Sequence, residues 1–231
     1  MSIRVVIVDD QELIRSGLRA VLEAAGGITV VAEAHDGAEA VSEARKHMPD
    51  VVLMDLHMPR VDGVDATVQL LRVPEPPRVL VLTTFDTDDH VMRALAAGAS
   101  GFVLKDVPAE EITAAVRTVA SGGTALSAPI MAKLLGKARH TGPQFYHPGV
   151  REKLDALSAS ERNVLSLVGE GLTNQQIAAQ LHLSVTSVKT YVSRVLARFD
   201  LDNRTQAALL SYEVGLVRWS GPGSGVQSDG A

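Results

Sequence analysis

Along the first 121 residues, short uninterrupted apolar runs alternate with stretches whose apolar positions recur at helical spacing. The runs are Arg4 to Val8, Ile28 to Ala34, Val51 to Asp55, Val79 to Thr83 and Gly101 to Leu104. Sequences such as VVIV, VVLM and VLVL lack the polar alternation of a half-exposed strand. They predict strands of a parallel sheet covered on both faces. Between them, Leu13, Gly17, Leu18, Val21 and Leu22 define one helical stripe, and Ala38, Val41, Ala44 and Arg45 continue the pattern after the Asp36-Gly37 turn. Five strand-helix units joined by right-handed crossovers predict a doubly wound, flavodoxin-like α/β unit with a five-stranded parallel sheet.

The pattern changes after Ser121-Gly122-Gly123. Residues 122–153, including GKARHTGPQFYHPG, are rich in Gly, Pro and His and read as a linker, with one short helix near Ala128 to Leu135. From Leu154 the apolar positions fall into short helices with strong start signals. Ser158 with Glu161 and Thr173 with Gln176 form capping-box patterns, and Ser184 and Asn203 are N-cap candidates. These signals predict an all-α unit at 154–217 with helices at about 159–169, 174–181, 185–199 and 204–215. The tail at 218–231 has nothing to bury beyond Trp219 and reads as disordered.

A length of 231 residues with 46% hydrophobic and 21% charged positions suits two globular domains. No apolar run reaches the ~18 residues of a membrane span, and the N-terminus lacks the pattern of a secretory signal. With no cysteine there is no disulfide framework, thiol nucleophile or cysteine zinc site, in keeping with a cytoplasmic location. Charge separates the two halves. Residues 1–122 carry 11 basic against 19 acidic side chains, whereas residues 151–218 carry 8 against 7. Only the second half is therefore a candidate for nucleic acid.

Candidate chemistry collects where the strands end. Asp9 and Asp10 follow the first strand and Asp55 closes the third. In a 2-1-3-4-5 sheet these ends are adjacent, at the topological switch point. Three converging carboxylates repel one another, which points to a hard divalent cation such as Mg²⁺. Thr83 at the end of the fourth strand and Lys105 after the fifth add a hydroxyl and a cation. Each Asp alone reads as an ordinary turn former or cap, but the joint arrangement at four strand ends suits a phosphoryl group.

The pieces IVDDQ, VVLMDLHMPRVDG, VLTTFD and AGASGFVLKD resemble the receiver domain of bacterial response regulators, over about residues 3–121. The resemblance implies that Asp55 accepts a phosphoryl group from a sensor histidine kinase, and that Asp10, Asp55 and the His57 backbone carbonyl hold Mg²⁺, with Asp9 acting through water. It further implies that Lys105 and Thr83 contact the phosphoryl oxygens and that Phe102 is an aromatic switch turning inward as Thr83 moves. Plain packing beside the last strand accounts equally well for Phe102.

In the second unit, Val188, Val192, Val195 and Phe199 lie on one face of the 185–199 helix, leaving Lys189, Thr190, Ser193 and Arg194 on others. With the preceding helix and the short turn HLS this makes a helix-turn-helix pattern, although periodicity alone fits a small helical bundle as well. LSASERNVLSLVGEGLTNQQIAAQLHLSVTSVKTYVSRVLARFDLDNRTQAALL resembles the LuxR-type helix-turn-helix, and a receiver followed by this module is the architecture of the NarL/FixJ family of transcription regulators. The resemblance implies base contacts from Lys189, Thr190 and Ser193 and phosphate contacts from Thr173, Asn174, Gln175 and Arg204 on double-stranded DNA. It also implies an active homodimer that meets through the last helix at Ala207, Ala208, Leu210, Ser211 and Val214. Family members commonly have His at Tyr191 and Arg at Ser160. Two alternatives differ in class. A phosphatase with an Asp nucleophile needs a second Asp where His57 stands. A regulator sensing a small molecule would not supply the set of Asp9, Asp10, Asp55 and Lys105.

Overall fold

A computed structural model describes residues 2–83, 88–127, 130 and 149–217, with only the backbone of residues 88 and 89. The expected tail, and all but Ile130 of the helix expected near Ala128 to Leu135, lie outside the described residues. The first unit runs β1 (Ile3–Val8), α1 (Glu12–Ala24), β2 (Ile28–Ala34), α2 (Gly37–His47), β3 (Val51–Asp55) and α3 (Gly63–Leu70). It continues with β4 (Arg78–Thr83), α4 (Asp88–Ala97), β5 (Gly101–Leu104), α5 (Ala109–Ala120) and β6 (Ala125–Leu126).

All pairings are parallel, in the order β2-β1-β3-β4-β5-β6. The five expected strands are present. The sixth, two residues long, lies in the segment expected to be linker, where Gly101 and Phe102 of β5 pair with Ala125 and Leu126. The continuous apolar runs have the expected consequence: β3 is buried at every position, and the sheet divides two clusters. Val6, Val8, Val52, Met54 and Phe102 face one side, and Val5, Ile7, Leu53, Leu80 and Val103 face the other.

Two helical stripes differ from expectation. Leu13 is 85% exposed and Gly17 is exposed; α1 packs through Ile14, Leu18, Val21 and Leu22, so its apolar stripe starts one residue later. In α2, Ala38 and Arg45 are exposed, and Ala40, Val41 and Ala44 face the sheet. The Asp36 carboxylate caps α2 by accepting from the Glu39 backbone N–H, and the buried stripe that follows runs through Gly37, Ala40, Val41 and Ala44.

The second unit contains α6 (Val150–Asp155), α7 (Ala159–Gly169), α8 (Asn174–Leu181), α9 (Val185–Phe199) and α10 (Arg204–Glu213). Both capping boxes form, at Ser158/Glu161 and Thr173/Gln176, and Ser184 and Asn203 cap α9 and α10. Helix α6 precedes the expected start. Its short span shows no amphipathic period to read, and its Lys153 Nζ is held by Asp200 at 2.8 Å. Val188, Val195 and Phe199 are buried as expected, and Val192 is half-buried.

The two units touch through α10. Ala207, Ala208 and Leu210 belong to the core of the second unit, whereas Leu209 is buried in the receiver-side cluster with Tyr212 packed against it. Asn203 Nδ2 donates to the Leu95 carbonyl at 3.1 Å, and Thr205 Oγ1 donates to the Ala99 carbonyl at 2.8 Å. Gly171, at φ +82°, allows a close approach: a Cβ there would lie 2.8 Å from the Thr124 carbonyl oxygen. No helix of the described residues is long and apolar enough to cross a membrane.

Candidate functional site

At the carboxyl edge of the sheet, β1 delivers Asp9 and Asp10 and the adjacent β3 delivers Asp55. Each carboxylate presents an oxygen within 4.8 Å of the other two. Asp9 and Asp55 are buried and Asp10 is exposed, so the cluster is open on one side. Lys105 lies across it, with Nζ 2.7 Å from Asp9 Oδ2 and 2.9 Å from Asp55 Oδ2. Burial raises the Asp55 carboxyl above its ordinary range, and the Lys105 hydrogen bond offsets this only in part. Burial works to lower the Lys105 ammonium, but its bonds to Asp9 and Asp55 outweigh that and raise it. Lys105 thus bridges two of the three carboxylates.

Neighbouring backbone holds this arrangement in place. The Gln11 backbone N–H donates to Asp9 Oδ1 at 3.0 Å, and the Arg15 guanidinium donates to the Asp9 carbonyl at 2.7 Å. The Lys105 backbone N–H donates to the Thr83 carbonyl at 2.9 Å, tying the ends of β4 and β5 together. Thr83 is buried, and Phe102 is already fully inward. Sequence reasoning missed Gly63. A Cβ there would stand 2.1 Å from the Asp55 carbonyl oxygen, so only glycine lets α3 start against the end of β3. The signal was present in VDG, where a glycine follows the N-cap Asp62. It also missed the meeting of His57, after β3, with His90 on α4, whose ring nitrogens lie 3.1 Å apart.

In the second unit, α9 presents Lys189, Thr190 and Ser193 to solvent, and Gln175 is exposed at the start of α8. The other residues expected at phosphates are placed differently. Thr173 is buried, its hydroxyl accepting from the Gln176 backbone N–H. Arg204 donates to Asn174 Oδ1 at 2.8 Å and to the Leu172 carbonyl. Burial lowers the Arg204 guanidinium to about 10, with a smaller contribution from the like charge of Arg78 on β4. The exposed face of α9 is thus open, whereas Arg204 is folded onto its own unit. Ala207, Ala208, Leu210 and Ser211, expected to meet a second copy, are each at most 3% exposed.

Comparison with known proteins agrees with both halves of this geometry. Residues 5–117 match the response regulator receiver domain, and residues 155–211 match the bacterial regulatory proteins of the luxR family. The chain is 39% identical over 215 residues to the transcriptional regulatory protein LiaR of Bacillus subtilis, covering 93% of this chain and 99% of LiaR. It is 38% identical over 227 residues to the DNA-binding transcriptional activator DevR/DosR of Mycobacterium tuberculosis, covering 96% and 99%. Among solved structures, the response regulator ChrA of a heme-sensing two-component system aligns at 36% identity and a TM-score of 0.52, over 94% of this chain and 99% of ChrA. With an acidic cluster on a doubly wound sheet, a helix-turn-helix behind it and relatives matched almost end to end, the chain belongs to the NarL/FixJ family of two-component response regulators that control transcription.

Proposed function

We propose that Asp55 takes a phosphoryl group from a sensor histidine kinase and that the modification controls dimerisation and DNA binding. The observation that carries this reading is the Lys105 ammonium held between Asp9 and Asp55 at the mouth of a buried carboxylate cluster. Asp55 acts as nucleophile through a carboxylate oxygen, and its bond to the phosphorus forms as the bond to the donor nitrogen breaks. Lys105 then turns from Asp55 to a phosphoryl oxygen, and the Thr83 hydroxyl donates to another. Leu13, exposed beside this mouth at the start of α1, offers the kinase an apolar contact.

The donor set fits Mg²⁺, because all its members are hard oxygens and the excess negative charge is uncompensated. Asp10, Asp55 and the His57 carbonyl would hold the ion, with Asp9 acting through water. The ion would supply charge neutralisation on the incoming phosphoryl group. Phe102 and Thr83 would relay the change toward α4 and β5. The receiver is taken to run through β6, with the DNA-binding unit starting at α6.

On DNA, Lys189, Thr190 and Ser193 would read base edges in the major groove, with Gln175 on a phosphate. Arg204 and Asn174 would join it by exchanging their mutual hydrogen bond for phosphate contacts, and Thr173 would act there through the α8 start that it caps. This activity belongs in the cytoplasm. Mass spectrometry after acetyl phosphate treatment tests the assignment. One phosphoryl group is expected on wild type with Mg²⁺, and none on Asp55→Asn. Wild-type uptake by that variant would refute it.

A further inference from the structure

We infer that the His57 and His90 imidazoles form a binding site for a divalent transition-metal ion such as Zn²⁺, distinct from the carboxylate site in donor atoms and preferred metal. His90 Nδ1 and His57 Nε2 lie 3.1 Å apart, with ring centroids 5.0 Å apart and ring planes at 73°. Two imidazoles pointing their lone pairs straight at each other across that gap would place their centroids roughly 5.4 Å apart. Two imidazoles converging on one ion at a zinc–nitrogen length of ~2.05 Å would place them about 4.8 Å apart, with an angle at the ion of about 98°. The observed separation is nearer the convergent value. A separation below the straight-on value makes the contact between the two nitrogens a bent one, which two rings sharing an ion also require.

The donor types select the metal. Imidazole nitrogen favours zinc, copper and nickel over magnesium, whereas Asp9, Asp10 and Asp55 present only oxygen. His57 is exposed and His90 half-exposed, so an ion can enter from solvent. The two ligands come from different elements: His57 from the segment after β3 that follows Asp55, and His90 from the first turn of α4. An ion held between them would clamp α4 to the phosphorylation loop. Helix α4 also carries, at its other end, the Leu95 carbonyl that accepts from Asn203 of the second unit. The site therefore couples metal binding to the element that docks the DNA-binding unit.

Isothermal titration of the full chain with Zn²⁺, in excess Mg²⁺ to occupy the carboxylates, tests the site. Wild type is expected to bind one Zn²⁺ that is lost or weakened by about tenfold or more in His57→Ala and in His90→Ala alike. The double variant is expected to lose no more than either single one, because each ligand alone forfeits the chelate. His47→Ala, on α2 and paired with Glu43, serves as the control and is expected to leave this binding unchanged. Equal weakening in the control, or less than about threefold loss in either single variant, would overturn the assignment. Because both histidines are accessible side chains outside the core, circular dichroism of the variants is expected to match wild type.

Discussion

Lys105 holds two buried carboxylates that would otherwise face each other uncompensated, and its removal separates structural from chemical consequences. Lys105→Met keeps the apolar stem and deletes the charge. In the absence of Mg²⁺ the variant is expected to lose about 2 kcal/mol, below the usual cost of breaking a fully buried pair because the Lys105 side chain retains 13% exposure. Mg²⁺ should restore part of that stability, and urea denaturation with and without the ion measures both. The carboxylates were legible in the sequence because a strand-ending Asp in a parallel sheet has a fixed address at its carboxyl edge. Leu13 was misplaced because Leu13 and Ile14 are adjacent apolar residues at a helix start, and hydropathy does not say which faces the sheet. The close approach at Gly63, for which VDG gave only a cap followed by glycine, and the pairing of His57 with His90 were hidden for another reason. A Cβ clash and a contact across 33 residues exist only after β3 and α4 are placed in space.

At the scale of elements, strands formed from unbroken apolar runs and helices opened by capping boxes were readable, since both signals are local. Strand β6 was not, because two residues after a Gly-Gly turn carry no period, and only the edge of β5 makes them a strand. The start of α7 shows how a local signal becomes stability. The Ser158 backbone N–H and hydroxyl both donate to Glu161 Oε2 at 2.9 Å, and the Glu161 backbone N–H donates back to Ser158 Oγ. The Ser158 backbone hydrogen bond leads in holding the Glu161 carboxyl below its ordinary range, outweighing burial. A depressed folded-state value means that the unfolded chain takes up this proton first as pH falls. The contribution is therefore complete above the ordinary glutamate value of ~4.3 and is lost as pH drops through the lower folded value. Glu161→Gln keeps the acceptor oxygen and removes the titration. Urea midpoints measured on descending pH are expected to fall more shallowly in the variant than in wild type. Parallel curves would refute this account of the cap.

At the scale of the whole molecule, the acidic site sits at the carboxyl edge of the sheet, while the second unit docks near the opposite edge, where α4 ends and β5 begins. Helix α4 connects them, with His90 near one end and the Leu95 carbonyl near the other. Helix α10 is enclosed on two sides: Ala207, Ala208 and Leu210 pack within its own unit, and Thr205 and Leu209 engage the receiver. This enclosure was invisible in the sequence, where α10 carries one apolar run whose two faces cannot be assigned to different partners. On the proposed reading, a second copy would meet the α10 face that carries Thr205, Leu209 and Tyr212 only after the receiver contact opens, so docking would oppose dimerisation without covering Lys189. Leu209→Ala tests that balance, because Leu209 packs with the receiver cluster rather than with the core of its own unit. Truncating a buried leucine at this contact is expected to weaken docking by about 2 kcal/mol, a shift of roughly thirtyfold toward the open form. Sedimentation velocity of the unphosphorylated variant should then show a larger dimer fraction than wild type at equal concentration, with no phosphodonor added. A wild-type distribution in a folded Leu209→Ala protein would mean that release of α10 does not limit dimerisation, and would place the control on the phosphorylated receiver alone.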